Sequence, residues 1–228
     1  AYADLGRLDE GFAASARAVE LLSDGGAPPE DIAAARLNLV DLLLRAGRAA
    51  DALPIAREVE AVLARVYGPS SLAVSNARLA LGEALHDLGR TSEAVPAYHD
   101  AWTIQRAQLG DASPETSAAR VRYAHALVSH DPAAALALLP DVDALPDELR
   151  GLALLTRAQA RVASSTELAS AHAEALRARA SLADRTARDA LLRRELEELV
   201  ALTQPASAGA PPPGRGAAAT SARGLAPR

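Results

Sequence analysis

Polar residues in the segment 37–45 fall on one narrow stripe of a helix. At about 100° per residue, Asn38, Asp41 and Arg45 share one side, and apolar residues cover most of the remaining surface. A helix at the surface of a globular protein has a wide polar face. The narrow stripe therefore predicts a helix that is packed between neighbours and exposes only one edge.

The pattern of apolar positions and chain breaks predicts a run of helices between residues 29 and 202. A capping residue followed by proline marks two helix starts, Ser113-Pro114 and Asp131-Pro132, because the N–H that proline lacks would be unpaired there. Gly47 and Gly89 mark breaks between helices. The predicted spans are 29–46, 49–67, 70–88, 91–109, 113–130, 132–140, 146–163, 165–182 and 185–202.

A repeat of 42 residues organises these helices into pairs. Gly26, Gly68 and Gly110 are separated by this interval, and three arginines and three leucines keep it too: Arg36, Arg78, Arg120, Leu43, Leu85 and Leu127. Periods of about 20–50 residues are typical of solenoids, in which each repeat buries its apolar face against the next. The chain is therefore predicted to be an all-α solenoid of stacked helix pairs.

Small and large packing residues also recur at fixed places within each unit. In the clearest unit they are Leu81, Gly82, Leu85, Gly89, Ala94, Tyr98 and Ala101. This pattern resembles the tetratricopeptide repeat (TPR), in the 42-residue form found in kinesin light chains. The resemblance implies a right-handed superhelical solenoid of antiparallel helix pairs. Gly82 and Ala124 share a register at which we expect the two helices of a unit to approach closely.

Three regions are predicted along the chain. Residues 1–140 form the TPR array, whose first repeat is truncated because Tyr2 and Gly6 match the end of a first helix. Residues 141–203 form degenerate TPR-like helical pairs and a capping helix. Residues 204–228 are rich in Ala, Pro and Gly and lack acidic residues, so we expect a disordered tail.

The polar stripe recurs in successive units, and stacking turns it into the lining of a concave groove. Its candidate residues are Asn38, Asp41, Arg45, Glu83, His86, Asp87, Arg122 and His125. The resemblance implies that Asn38 holds the backbone of a bound peptide, whereas Ala80 and Arg122 stand at the same position of the next two units. We expect the acids of the stripe to be exposed and to set a negative field. A solvated face without a ligand is the alternative interpretation.

Composition removes several classes of chemistry. The absence of Cys excludes disulfides, thiolate zinc sites and a cysteine nucleophile, and a net charge of −5 argues against nucleic-acid binding. No apolar stretch reaches the roughly 18–20 residues of a membrane span. His86 and His125 come from adjacent repeats and can approach, but are interpreted as ordinary histidines. The aspartates 141 and 143 are interpreted as part of a solvated connection, and Trp102 as a packing residue rather than a ligand platform.

No nucleophile, base and orienting group can be assembled, so we expect no enzymatic activity, cofactor or metal. The leading hypothesis is a cytoplasmic protein–protein interaction module that binds a peptide segment or partner domain in the groove. All basic residues are Arg, which indicates a GC-rich, bacterial genome. The module is expected to be the C-terminal part of a larger bacterial signalling or regulatory protein. The alternative is a structural spacer, or a self-association or autoregulatory module of a bacterial serine/threonine kinase or transcriptional regulator.

Overall fold

A computed structural model of the chain describes residues 8–165, 167–181 and 187–204. In this part of the chain 82% of the residues are helical and none lies in a strand, which confirms the all-α prediction. The helices are α1 Leu8–Asp24, α2 Pro29–Arg45, α3 Ala49–Tyr67, α4 Leu72–Asp87, α5 Thr91–Leu109, α6 Pro114–Leu127, α7 Pro132–Leu138, α8 Asp147–Ala163, α9 Leu168–Ser181 and α10 Ala187–Thr203.

Helices α2 to α10 begin and end within three residues of their predicted spans. Helix α1 was not among the predicted spans. The predicted caps are present, since Ser113 Oγ accepts from the N–H of Thr116 at 3.4 Å and Asp131 Oδ1 accepts from the N–H of Ala134 at 2.9 Å. Two predictions concern residues outside the described part of the chain. They are the helix end at Tyr2 and Gly6 and the disordered tail after residue 204.

The turns between helices recur every 21 residues, which is half of the sequence repeat. Glycines with positive φ occupy them, at Gly26, Gly47, Gly68, Gly89 and Gly110. At Gly47 the following N–H, of Arg48, bonds the carbonyl of Leu43 at 2.8 Å, which closes the end of α2. The next position in the series is Asp131, which has φ −145° and caps α7 instead. The regular turn is therefore lost where the sequence motif fades.

Alternate helices form an inner row on the concave side of the stack. Helices α2 and α4, α6 and α8, and α8 and α10 contact one another although a helix separates each pair in the chain. No comparably close contact joins α1, α3, α5, α7 and α9 in the described part of the chain. Helices converge on the inside of a curved stack and diverge on its outside. The curvature brings α10, the last helix of the inner row, into contact with α2.

Packing inside the second unit depends on the absence of a side chain at Gly82. A Cβ built on this residue would lie 2.8 Å from the ring of Tyr98, which is itself buried. The close approach predicted at Gly82 is therefore confirmed. One repeat earlier the corresponding positions hold Val40 and Ala56, both fully buried. In the first unit the larger side chain comes from the first helix, as Val40, and in the second unit it comes from the second helix, as Tyr98.

A largely buried ion-pair network adds to the apolar core of the C-terminal unit. Glu174 on α9 is 8% exposed and accepts from Arg157 and Arg161 of α8 at 2.7 and 3.1 Å. Charged side chains therefore contribute to the pairing of α8 with α9, beside the buried alanines of both helices.

The connection between α7 and α8 differs from its prediction. Asp141 and Asp143 are exposed, but Leu139, Val142 and Leu145 are buried in the core of the C-terminal units. The two aspartates are solvated as predicted, but the connection as a whole is not, because the short α7 leaves core volume that the three apolar side chains fill.

None of the described helices is both long and apolar enough to cross a membrane.

Candidate functional site

A cleft of about 290 Å³ opens between three helices of the inner row, α2, α4 and α6. Its walls are apolar near α2 and α4, and its polar groups come from all three helices and from α5. The lining residues are Leu37, Asp41, Leu44, Asn76, Leu79, Ala80, Glu83, Gln105, Glu115, Ala118 and Arg122. The polar stripes of α2, α4 and α6 bring Asp41, Glu83 and Arg122 to this one hollow.

An ion pair between neighbouring units crosses the cleft. Arg122 of α6 donates through Nε to Glu83 of α4, and its Nη1 donates to the carbonyl of Ala118 at 3.3 Å. The side chain of Glu83 is only 12% exposed. The expectation that Glu83 is an exposed groove acid was therefore wrong, because the adjacent unit covers it with a guanidinium.

Asp41 is an exposed acid of the cleft, as is Glu115. The side chain of Asp41 is 57% exposed and pairs with Arg45, one turn along α2, at 2.8 Å. Such a pair contributes little to stability because water screens it. Asp41 therefore remains accessible to a ligand on the α2 side.

A buried amide closes the α5 side of the cleft. Gln105 is 1% exposed, and its Nε2 donates to Oδ1 of Asn76 at 3.2 Å. No described residue donates a hydrogen bond to Gln105 Oε1, although this atom is buried. Buried side-chain polar atoms are satisfied in the large majority of cases, so this oxygen is unusual.

Only some of the predicted groove residues lie at the cleft. Asp41, Glu83 and Arg122 line the cleft, and Arg45 lies beside it through its bond to Asp41. Asn38 is exposed on α2 and is not part of the lining. The remaining members of the set lie nearer the C-terminal ends of α4 and α6 and do not line the cleft: His86, Asp87 and His125.

The two histidines approach one another, with ring centroids 5.0 Å apart. His125 Nδ1 lies 3.1 Å from Thr156 Oγ1, whose hydroxyl donates to the carbonyl of Leu152. Because that hydroxyl proton is already used, Nδ1 carries the proton in the bond from His125 to Thr156. Within the described ranges no three His, Asp or Glu side chains are grouped to hold a metal ion. His125 thus joins α6 to α8.

Sequence reasoning missed several lining residues, above all Gln105, Asn76 and Glu115. Gln105 lies on α5, outside the inner row, so the stripe did not include it. One repeat earlier its position holds Leu63, a buried core residue. A polar residue at a repeated core position was the signal that could have identified it.

Trp102 lies in an aromatic cluster instead of the cleft. Its ring stacks on Tyr123 at 5.7 Å with an interplanar angle of 24°, and the guanidinium of Arg106 lies 4.6 Å from its centroid. Burial raises the pKa of the Tyr123 hydroxyl, with a smaller contribution from Asp131. The half-buried, stacked position agrees with the interpretation of Trp102 as a packing residue.

Comparison with known proteins agrees with this architecture. Residues 31–107 match the tetratricopeptide repeat family. The crystal structure of BtubC (BKLC) from P. vanneervenii has a similar fold, with a TM-score of 0.53 and 15% identity over 95% of this chain and 99% of that chain. No curated protein gives a significant match. The helix pairs within residues 31–107 therefore match tetratricopeptide repeats, and the likeness to BtubC extends the same kind of fold over the rest of the chain. The kinesin-light-chain form of the repeat stays a prediction.

Proposed function

We propose that this chain is a non-catalytic interaction module that binds a peptide segment of another protein in the cleft between α2, α4 and α6. Tetratricopeptide repeats generally mediate protein–protein interaction and are typically not catalytic. The observation that carries the proposal is the cleft itself, which combines apolar walls with a few polar groups. Ligand sites in proteins have this composition.

The dimensions of the cleft favour a short segment over a folded domain as its occupant. A hollow of about 290 Å³ accepts a few side chains, whereas a domain would contact the wider rim of the inner row. We further propose a bacterial signalling or regulatory protein of the cytoplasm as the setting, supported by the use of Arg as the sole basic residue.

Site-specific photocrosslinking tests the location of binding. p-Benzoylphenylalanine replaces Asn76, an exposed residue of the cleft, or Ala50, an exposed residue of α3 outside it. After irradiation in source cells, mass spectrometry identifies the crosslinked peptides. We expect a partner segment to be crosslinked from position 76 and not from position 50.

Charge reversal at Asp41 should weaken binding of the crosslinked segment. Asp41→Lys places a cation at the rim of the cleft, so we expect the Kd to rise about threefold to tenfold at low salt. The matched control is Asp51→Lys, because Asp51 is 54% exposed and also pairs with an arginine, Arg48. Fluorescence anisotropy of the labelled segment measures both. Equal Kd values for the two variants would remove Asp41 from the binding surface.

Crosslinking from position 50 alone, or only between copies of this chain, would contradict the proposal. The alternative, a structural spacer or a self-association or autoregulatory module, would then take its place. Light scattering over a concentration series distinguishes these two, since self-association raises the average mass with concentration whereas a spacer stays monomeric.

A further inference from the structure

The unsatisfied oxygen of Gln105 indicates which chemical group the cleft accepts. Gln105 Oε1 is buried, lacks a donor among the described residues, and belongs to a side chain that lines the cleft. A buried acceptor without a partner destabilises the free protein. A ligand that supplies an N–H would satisfy it.

The register of the repeat indicates that an apolar side chain can occupy the position of Gln105. The preceding unit holds Leu63 at the position of Gln105, and Leu63 is buried in the apolar core between α2, α3 and α4. An apolar side chain therefore fits this kind of position. The second unit thus has a buried polar side chain at Gln105, whereas the first unit has an apolar one at the same position.

The charges around the cleft favour a cation. Its lining contains three carboxylates, Asp41, Glu83 and Glu115, and one guanidinium, Arg122. With Arg45 paired to Asp41 at the rim, a surplus of one negative charge remains. The apolar wall formed by Leu37, Leu44 and Leu79 provides a surface for an aliphatic chain. Lys and Arg side chains combine such a chain with a cationic group that only donates hydrogen bonds.

We infer that the cleft is a subsite for one Lys or Arg side chain of the bound segment, whose terminal N–H donates to Gln105 Oε1. The stem of that side chain lies against the leucines, and its charge is stabilised by the surplus of carboxylates. This inference rests on the proposed function, because it names the group by which a peptide segment occupies the cleft.

Small analogues of the side chains test the inference without a known partner. The probes are n-butylguanidinium and n-butylammonium, with n-butanol as the neutral and n-butyrate as the anionic comparison. Titrations are followed by ¹H–¹⁵N spectra of the whole chain, including the side-chain amides of Gln105 and Asn76. We expect saturable shifts of both amides with the two cations, and affinities at least about fivefold lower for butanol and butyrate.

Gln105→Leu supplies the matching variant, and Gln108→Leu the control. Gln108 lies one turn further along α5 and is exposed, with its amide bonded to the carbonyl of Ser70. We expect Gln105→Leu to lower the affinity for butylguanidinium about fivefold to tenfold while its Tm stays equal or rises, because the unsatisfied acceptor is gone. Gln108→Leu should leave the affinity unchanged.

Several outcomes would overturn the inference: unsaturable shifts, a preference for butyrate or butanol, equal affinity of Gln105→Leu, or a marked fall in its Tm. If Gln105→Leu does not fold, the amide is structural and the inference fails. Crosslinking of a segment from position 76 together with absent butylguanidinium binding would reject the cation subsite and leave the proposed function standing.

Discussion

Gly82→Val will destabilise the fold by about 3 kcal/mol or more. Even a single Cβ at this position would lie 2.8 Å from the Tyr98 ring, and Tyr98 is buried and cannot move without displacing its neighbours. Overpacking of a core usually costs about 1–3 kcal/mol, and a branched side chain against an aromatic ring lies at the upper end. Thermal unfolding followed by circular dichroism measures the effect.

A double substitution tests whether the side chains at positions 82 and 98 compete for the same space. Gly82→Val with Tyr98→Ala gives the second unit the pair found in the first, Val40 and Ala56. Tyr98→Ala alone leaves a cavity and should cost about 3–5 kcal/mol. The double variant should be more stable than the sum of the single effects by about 1–3 kcal/mol. Strict additivity would show that the two side chains do not compete for one space.

Glu174→Ala will destabilise the C-terminal units by about 3 kcal/mol. The substitution leaves the guanidiniums of Arg157 and Arg161, each 17% exposed, without the carboxylate that they share. Arg161 keeps the exposed Glu167, but Arg157 then has no carboxylate among the described residues. Removal of one partner from a buried ion pair is strongly destabilising because the remaining charge is uncompensated. Urea unfolding followed at 222 nm gives the change in free energy.

Glu167→Ala is the matched control for Glu174→Ala. Glu167 also pairs with Arg161, but its side chain is 61% exposed. We expect a loss below about 1 kcal/mol, as for other exposed pairs. Similar losses for both variants would show that burial of the carboxylate does not determine the strength of this network.

The helices were predictable because their signals are local and repeated. The glycines with positive φ and the capping residues of α6 and α7 act within one turn of chain, so the sequence displays them directly. The close approach at Gly82 was predictable for a related reason, since a small residue at a repeated core position implies a near neighbour.

Features that depend on contacts between units were not predictable from the stripe. Glu83 was expected to be exposed, because a helical projection shows a side chain's own helix and not the Arg122 guanidinium that the next unit places over it. Gln105 was missed because it reaches the cleft from α5, behind the inner row. Val142 is buried because the short α7 leaves part of the core unfilled. The sequence of the connection itself does not show that this space exists.

The contact between α2 and α10 gives the stack a different topology from an open array. It joins segments at least 142 residues apart in the chain, whereas most other helix contacts join neighbours in sequence. In an open array either end can unravel alone, because stability is a sum of nearest-neighbour terms. Here unravelling that reaches α2 from one side or α10 from the other breaks the same contact, so these two parts of the stack are thermodynamically linked. Folding must also close one very long loop, and this contact raises the contact order of the chain above that of a linear stack.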